Sequence, residues 1–181
     1  MTRVMDSKEI ELILTRMTHE ILERNRGCEG LVLVGIRTGG VYLSARLSKI
    51  IRRVTGKEIP TGTMDITLYR DDLSRIGYAP MVKKTEIQFS IDKKVVILID
   101  DVLYTGRTIR AAMDALIDLG RPRQIQLAVL IDRGLRELPI SADYIGKRIE
   151  TSPEEIVDVL LKEGGMKEDG AILRKKHAAE K

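Results

Sequence analysis

No stretch constrains the fold of this chain more than Val95-Val-Ile-Leu-Ile-Asp100-Asp101-Val-Leu-Tyr104-Thr105-Gly106-Arg107-Thr108. Five consecutive apolar residues, four of them β-branched, predict a strand buried on both faces. The run ends in two carboxylates, passes through a short polar loop and gives way to a helical pattern reaching Leu119. Main-chain N–H groups of Thr105 to Thr108 then lie where a helix begins, with unpaired donors and the positive dipole end facing outward. Gly106 lets an anion approach the backbone closely, and the Thr105 and Thr108 hydroxyls add donors. Asp100 and Asp101 repel a bare phosphate, so sugar hydroxyls or a magnesium ion suit them as partners. An ordinary βα turn with an aspartate helix cap accounts for one acid. Two adjacent acids closing an all-apolar strand point instead to a site for a phosphorylated sugar.

Other elements follow from spacing. Asp6 with Glu9 reads as a helix start, and Ile10, Ile13, Leu14, Met17 and Ile21 recur at helical intervals until the pattern stops near Gly27. Leu31 to Ile36 is a short apolar strand, followed by Arg37-Thr38-Gly39-Gly40 and a helix closed by Gly56. Strand-like residues run from Ile59 to Tyr69, then a polar stretch from Arg70 to Lys84, long enough to read as a functional lid. Ile125 to Ile131 is another buried strand, and Ile156 to Leu161 and Ala171 to Leu173 are strands around a Gly164-Gly165 turn. The last eight residues, 174–181, read as frayed. Strands alternating with helices predict a mostly parallel α/β sheet flanked by helices. The loops at Arg37–Gly40, Asp100–Thr108 and Asp132–Gly134 should then converge beyond the carboxyl ends of the strands.

At 181 residues the chain is read as a single domain, 1–181. Its one cysteine, Cys28, cannot form an internal disulfide, and charges at Arg3, Asp6, Lys8 and Glu9 interrupt any signal-peptide pattern. No apolar run approaches the ~20 residues of a membrane helix. These features predict a soluble, cytoplasmic protein with no membrane partner. A net charge of +4 does not by itself indicate nucleic acid, and with no tryptophan and one phenylalanine the chain lacks an aromatic platform for single strands.

The 95–108 stretch resembles the phosphoribosyl-pyrophosphate (PRPP) signature of type I phosphoribosyltransferases. Asp65-Ile-Thr-Leu-Tyr-Arg-Asp-Asp-Leu-Ser74, Asp100 to Arg110 and Asp132-Arg-Gly-Leu-Arg-Glu-Leu-Pro-Ile140 together resemble the bacterial pyrimidine-operon attenuation regulators, and the likeness extends to about Val159. It implies the type I phosphoribosyltransferase fold with a small hood at about 132–160 and a flexible lid begun by Tyr69, Arg70, Asp71 and Asp72. It also implies a uracil phosphoribosyltransferase that uses Mg2+ with PRPP and binds pyr messenger RNA leader hairpins in response to UMP or UTP, as a homodimer or higher homo-oligomer.

By the same resemblance Asp100 and Asp101 are catalytic. Thr38 and Gly39 lie in the pyrophosphate loop. Asp101, Val102, Leu103, Tyr104, Thr105, Gly106, Arg107, Thr108 and Ile109 bind ribose and 5-phosphate, and Arg133 and Val157 border the nucleobase. Thr15, Arg16, His19, Arg24, Arg136 and Lys147 match RNA-binding positions; Arg and Lys suit phosphates, while Thr and His suit base edges or 2-hydroxyls. Read from composition alone, that side of the first helix is a solvated face. Three positions depart from the family pattern. Gly39 stands where relatives usually carry Arg, Leu135 where they carry His and Ser141 where they usually carry Arg. Leu135 and Ser141 favour the alternative of a pure salvage transferase without RNA binding, whereas Gly39 favours an RNA regulator without useful catalysis.

Overall fold

The computed structural model describes residues 1–66 and 85–176. At its centre is an all-parallel five-stranded sheet, in the order β3 (Thr61–Met64), β2 (Leu31–Ile36), β4 (Val95–Leu103), β5 (Gln124–Asp132), β6 (Tyr144–Arg148). Side chains alternate along these strands, so one face of the sheet carries Leu33, Ile97, Ile99 and Leu130 and the other Val34, Val96, Leu98 and Val129. Two helices, α1 (Ser7–Arg24) and α2 (Gly39–Thr55), cover the first face, and α3 (Arg107–Leu119) covers the second. The expected capping box starts α1, with Asp6 accepting from the Glu9 N–H at 2.8 Å and Glu9 from the Asp6 N–H at 2.9 Å. Gly56 ends α2 in the left-handed region.

The acids do not terminate β4. The strand continues through them, pairing Asp100 with Val129, Val102 with Ile131 and Leu103 with Asp132, because the β5 ladder remains available for three more residues. Two strands had no clear sequence signal. β1 (Thr2–Asp6) is short and mostly exposed, and β6 (Tyr-Ile-Gly-Lys-Arg) is short with only Tyr144 fully buried.

A second sheet, β1-β8-β7, is antiparallel and joins Thr2–Asp6 to β7 (Glu155–Leu160) and β8 (Gly170–Lys175). The hood therefore differs from the expected 132–160 segment. Asp132 and β6 belong to the main sheet, while the small sheet recruits the amino-terminus and the carboxy-terminal hairpin. Arg174 and Lys175, expected to fray, pair with Ile156 and Glu155. The rest of the segment expected to fray, from His177 on, and the expected lid residues Tyr69 to Asp72 lie outside the described residues.

The β7–β8 turn docks on α2 through Arg46. Its guanidinium donates to Glu163 (2.8 and 2.5 Å) and to Asp169 (2.7 and 2.9 Å), with the Arg46 side chain 20% exposed and that of Asp169 12% exposed. This pairing holds the Glu163 and Asp169 carboxyls below the usual carboxylate range.

Candidate active site

In the order β3-β2-β4-β5-β6 the chain leaves β2 toward one edge of the sheet and returns through β4 toward the other. The crevice between the carboxyl ends of β2 and β4 is thus the topological switch point, where open parallel sheets bind ligands. Two predicted loops flank it. Thr38 is exposed at the start of α2, and Gly39 and Gly40 form that helix's first turn. Both glycines lie against the end of β4. A Cβ on Gly39 would come within 2.2 Å of Asp101 Oδ2, and one on Gly40 within 2.2 Å of the Ile99 carbonyl oxygen. The glycines thus allow the Thr38–Gly40 turn to close onto the acids, and the two predicted elements form one site.

Asp100 is 6% exposed and Asp101 partly buried. Burial, reinforced by the neighbouring Asp101 carboxylate, pushes the Asp100 carboxyl well above its ordinary range. Burial also raises Asp101, against the opposing effect of the Val102 N–H that donates to its Oδ1 at 2.8 Å. Neither acid has a cationic partner among the described residues. Sugar hydroxyls or a divalent cation are the partners that relieve such a pair. Among the described residues no cluster of three or more metal-ligating side chains exists. Mg2+ commonly binds through one or two carboxylates plus substrate phosphates, and the Asp100–Asp101 pair fits that pattern.

Beyond the acids the Tyr104–Thr108 loop takes the expected form. Gly106 adopts φ +93° and α3 starts at Arg107, while Thr105 Oγ1 accepts from the Arg107 N–H at 3.3 Å. Thr108 is exposed at the helix start, and Ile109 anchors the first turn in the core at 2% exposure. The segment 132–140 lies beneath this loop. Arg133 N–H donates to the Leu103 carbonyl at 3.1 Å, and the Glu137 and Leu138 N–H groups donate to the Thr105 carbonyl at 3.0 and 3.1 Å. Arg107 pairs with Glu137 at 2.6 Å. Sequence reasoning missed Glu137 and Leu138 as supports, since no local pattern announces a hydrogen bond across thirty residues.

Arg133 is more a buttress than an open base reader. Its side chain is buried, donates to Thr151 Oγ1 (3.1 Å) and to the carbonyls of Ser152 (3.1 Å) and Glu155 (2.7 Å), and stacks 4.1 Å from the Tyr104 ring centroid. It therefore joins the segment leading into β7 to Tyr104 of the loop after β4. Val157, 7% exposed on β7, packs in the same core as Val102.

Comparison with known proteins agrees with this geometry. Residues 1–163 match the family described as phosphoribosyl transferase domain. The bifunctional protein PyrR of Clostridioides difficile is 57% identical over 161 residues, 89% of this chain and 91% of the relative, and that of Thermus aquaticus is 57% identical over 160 residues, 88% of each. The chain belongs to the PyrR branch of the phosphoribosyltransferase family. Among solved structures, a Staphylococcus aureus hypoxanthine phosphoribosyltransferase superposes with TM-score 0.65 at 26% identity, covering 86% of this chain and 80% of that one. The type I phosphoribosyltransferase fold predicted from the sequence is therefore the observed one.

Of the residues matched to PyrR's RNA-binding positions, several gather where α1 crosses the sheet edge at β6. Thr15 is half-buried with its hydroxyl on the Glu11 carbonyl (2.9 Å), and His19 is exposed. Arg16 donates to the carbonyls of Ile145 (3.1 Å) and Gly146 (2.7 Å) and pairs with Glu20. Arg24 pairs with Asp143 at 2.8 Å over the Tyr144 ring, and Lys147 donates to the Val4 carbonyl at 2.7 Å. Arg136 differs from the others. Its guanidinium is occupied inside the fold, beneath Leu103 and Tyr104, and does not join a free basic face. Leu135 is 40% exposed with φ +56°. Among the described residues no helix is long and apolar enough to cross a membrane.

Proposed function

We propose that the chain is a uridine-nucleotide-responsive, RNA-binding regulator of pyrimidine genes that also converts uracil and PRPP to UMP and pyrophosphate. The observation that carries the reading is the buried Asp100–Asp101 pair closed by Gly39 at the sheet's switch point, in a chain 57% identical to bifunctional PyrR proteins. In the transfer, a uracil ring nitrogen attacks the ribose anomeric carbon while the bond to pyrophosphate breaks, and the proton released from that nitrogen passes to the departing pyrophosphate or to solvent. Positive charge develops on the sugar ring, and the Asp101 carboxylate is the negative group set to favour it. Main-chain N–H groups from Thr105 to Thr108 hold the 5-phosphate, and those of the Thr38–Gly40 turn face the leaving group. Mg2+ entering with PRPP would be held by Asp100 and Asp101 and would offset charge on the leaving pyrophosphate. Arg133 acts through Tyr104 to hold the wall on which the base packs.

The RNA partner is a leader hairpin read by the α1–β6 edge through Thr15, Arg16, His19, Arg24 and Lys147. The Tyr69–Asp72 segment serves as the lid, and the working form is a cytoplasmic homo-oligomer. Leu135, Ser141 and the internal role of Arg136 support a second reading, a salvage transferase without RNA binding. Filter binding of the hairpin with and without UMP, alongside UMP synthesis from uracil, separates the two. Tight UMP-enhanced binding is expected. Full synthesis by a protein that never retains RNA would establish the salvage enzyme. Asp101→Asn is expected to lose most synthesis, on the order of 10²-fold or more, while RNA binding without nucleotide persists.

A further inference from the structure

We infer that Arg136 is a positioning residue: it aims the phosphate-binding amides of the Tyr104–Gly106 turn and thereby couples nucleotide occupancy to RNA binding. The coupling half rests on the proposed function; the positioning half does not.

A guanidinium offers five N–H donors in a rigid fork. In Arg136, Nε donates to the Ile140 carbonyl (3.0 Å), and Nη2 donates to the Asp132 carboxylate (2.5 Å). Nη1 donates to the Tyr104 carbonyl (2.6 Å) and the Gly134 carbonyl (3.0 Å), with a longer contact to Leu103 (3.3 Å). The side chain is 22% exposed, and one Nη2 N–H is left over. A paired grip on a backbone phosphate needs two parallel donors. That grip is not available without dismantling these bonds.

What the fork does hold is peptide orientation. A trans peptide is planar, so its carbonyl and the next N–H point in opposite directions. Arg136 and the Arg133 N–H draw the Leu103 carbonyl down, Arg136 draws the Tyr104 carbonyl down, and the Glu137 and Leu138 N–H groups draw the Thr105 carbonyl down. Three successive peptide planes are thereby set. The N–H groups of Tyr104, Thr105 and Gly106 consequently aim away from the 132–140 segment, and those of Thr105 and Gly106, two of the donors proposed for the 5-phosphate, face the loop mouth. Phosphate bound there stiffens these planes and, through the same bonds, the segment carrying Leu135 and Ser141. Linkage makes the effect reciprocal: whatever factor UMP adds to RNA affinity, RNA adds to UMP affinity.

The test uses the full-length protein, wild type, Arg136→Lys and Arg136→Gln. UMP affinity is measured by calorimetry without RNA, and hairpin affinity by filter binding with and without saturating UMP at several salt concentrations. Lysine keeps the charge and loses the fork, so it tests orientation with little change in long-range electrostatics. Both variants are expected to bind UMP about tenfold or more weakly, matching loss of charge-assisted bonds, with the UMP enhancement of RNA binding falling toward one and the salt slope unchanged. Unchanged UMP affinity in both variants overturns the positioning role. A salt slope reduced by about one in Arg136→Gln, with the UMP enhancement intact, makes Arg136 a phosphate contact and overturns the coupling. A wild type that never binds RNA refutes the regulator reading and the coupling with it, while the UMP titration still decides the positioning role.

Discussion

Replacing Gly40 with alanine isolates the contact that builds the site. An added Cβ would lie 2.2 Å from the Ile99 carbonyl oxygen, 3.0 Å from its carbon and 3.2 Å from the Asp100 Cα, all backbone atoms. Carbon–oxygen contacts below 3.0 Å essentially never occur for a real Cβ, so the two elements must separate by ~1 Å. β4 cannot give way, since it is hydrogen-bonded on both sides, to β2 and to β5. The displacement therefore falls on the amino-terminal turn of α2 and moves its main-chain amides away from Asp100 and Asp101. Overpacking of this kind costs about 1–3 kcal/mol, which for a domain of this size lowers Tm by about 3–10 °C. A misplacement of ~1 Å in a reacting assembly costs on the order of 10²-fold in rate. The assay pairs thermal melting with kcat/KM for UMP synthesis, with Gly164→Ala as control because its added Cβ meets only Tyr42 at 3.7 Å. A Gly40→Ala protein with lowered Tm but wild-type kcat/KM would show that the α2 turn plays no part in the chemistry. An unchanged Tm would refute the packing argument itself.

Other perturbations test separate links. Arg46→Ala removes the common partner of Glu163 and Asp169 and is expected to cost about 2–4 kcal/mol, or ~5–15 °C in Tm. Both carboxyls sit below their ordinary range because of Arg46, so their contribution is present above the unfolded pKa and lost as pH falls through the folded one. Urea melts of the variant between pH 3 and 6 should show a flatter acid decline than wild type. Asp100 has the opposite sign: its raised carboxyl keeps a proton longer in the folded state, so its contribution to stability falls as pH climbs above the ordinary carboxylate range. Asp100→Asn should gain stability over wild type at pH 8 relative to pH 4 while losing UMP synthesis, and a difference independent of pH would contradict the burial argument. Ser141→Arg, which restores a basic residue on an exposed position, is expected to tighten hairpin binding and steepen its salt slope by about 0.9. An unaltered slope would place position 141 outside the RNA contact.

Local features of the sequence were good guides to the elements of the site. The Asp6–Glu9 pair, the apolar run from Val95 and the Gly106 turn each carry their meaning within a few residues, and each appears where expected. Strands with weak local signals were not legible. β1 is an exposed edge strand whose only reason to be extended is β8, nearly the whole chain away, and β6 has no apolar alternation to announce it. The hood boundaries were misplaced for the same reason. Arg136 shows the limit most clearly, because resemblance assigned it to RNA while its surroundings bind its guanidinium to carbonyls more than thirty residues away.

By itself the sequence determined the parallel α/β class, the acidic pair in the central strand and the Gly106 turn into the helix after it, because periodicity, caps and turn residues act over one or two turns of chain. Only the tertiary structure decided that Gly39 and Gly40 close onto Asp101 and Ile99, that the amino-terminus completes the small antiparallel sheet, and that the 132–140 segment holds the Tyr104–Gly106 turn from beneath. Those are contacts between elements distant in sequence. Close packing and the need to satisfy each buried polar group select them, and neither requirement leaves a periodic trace along the chain.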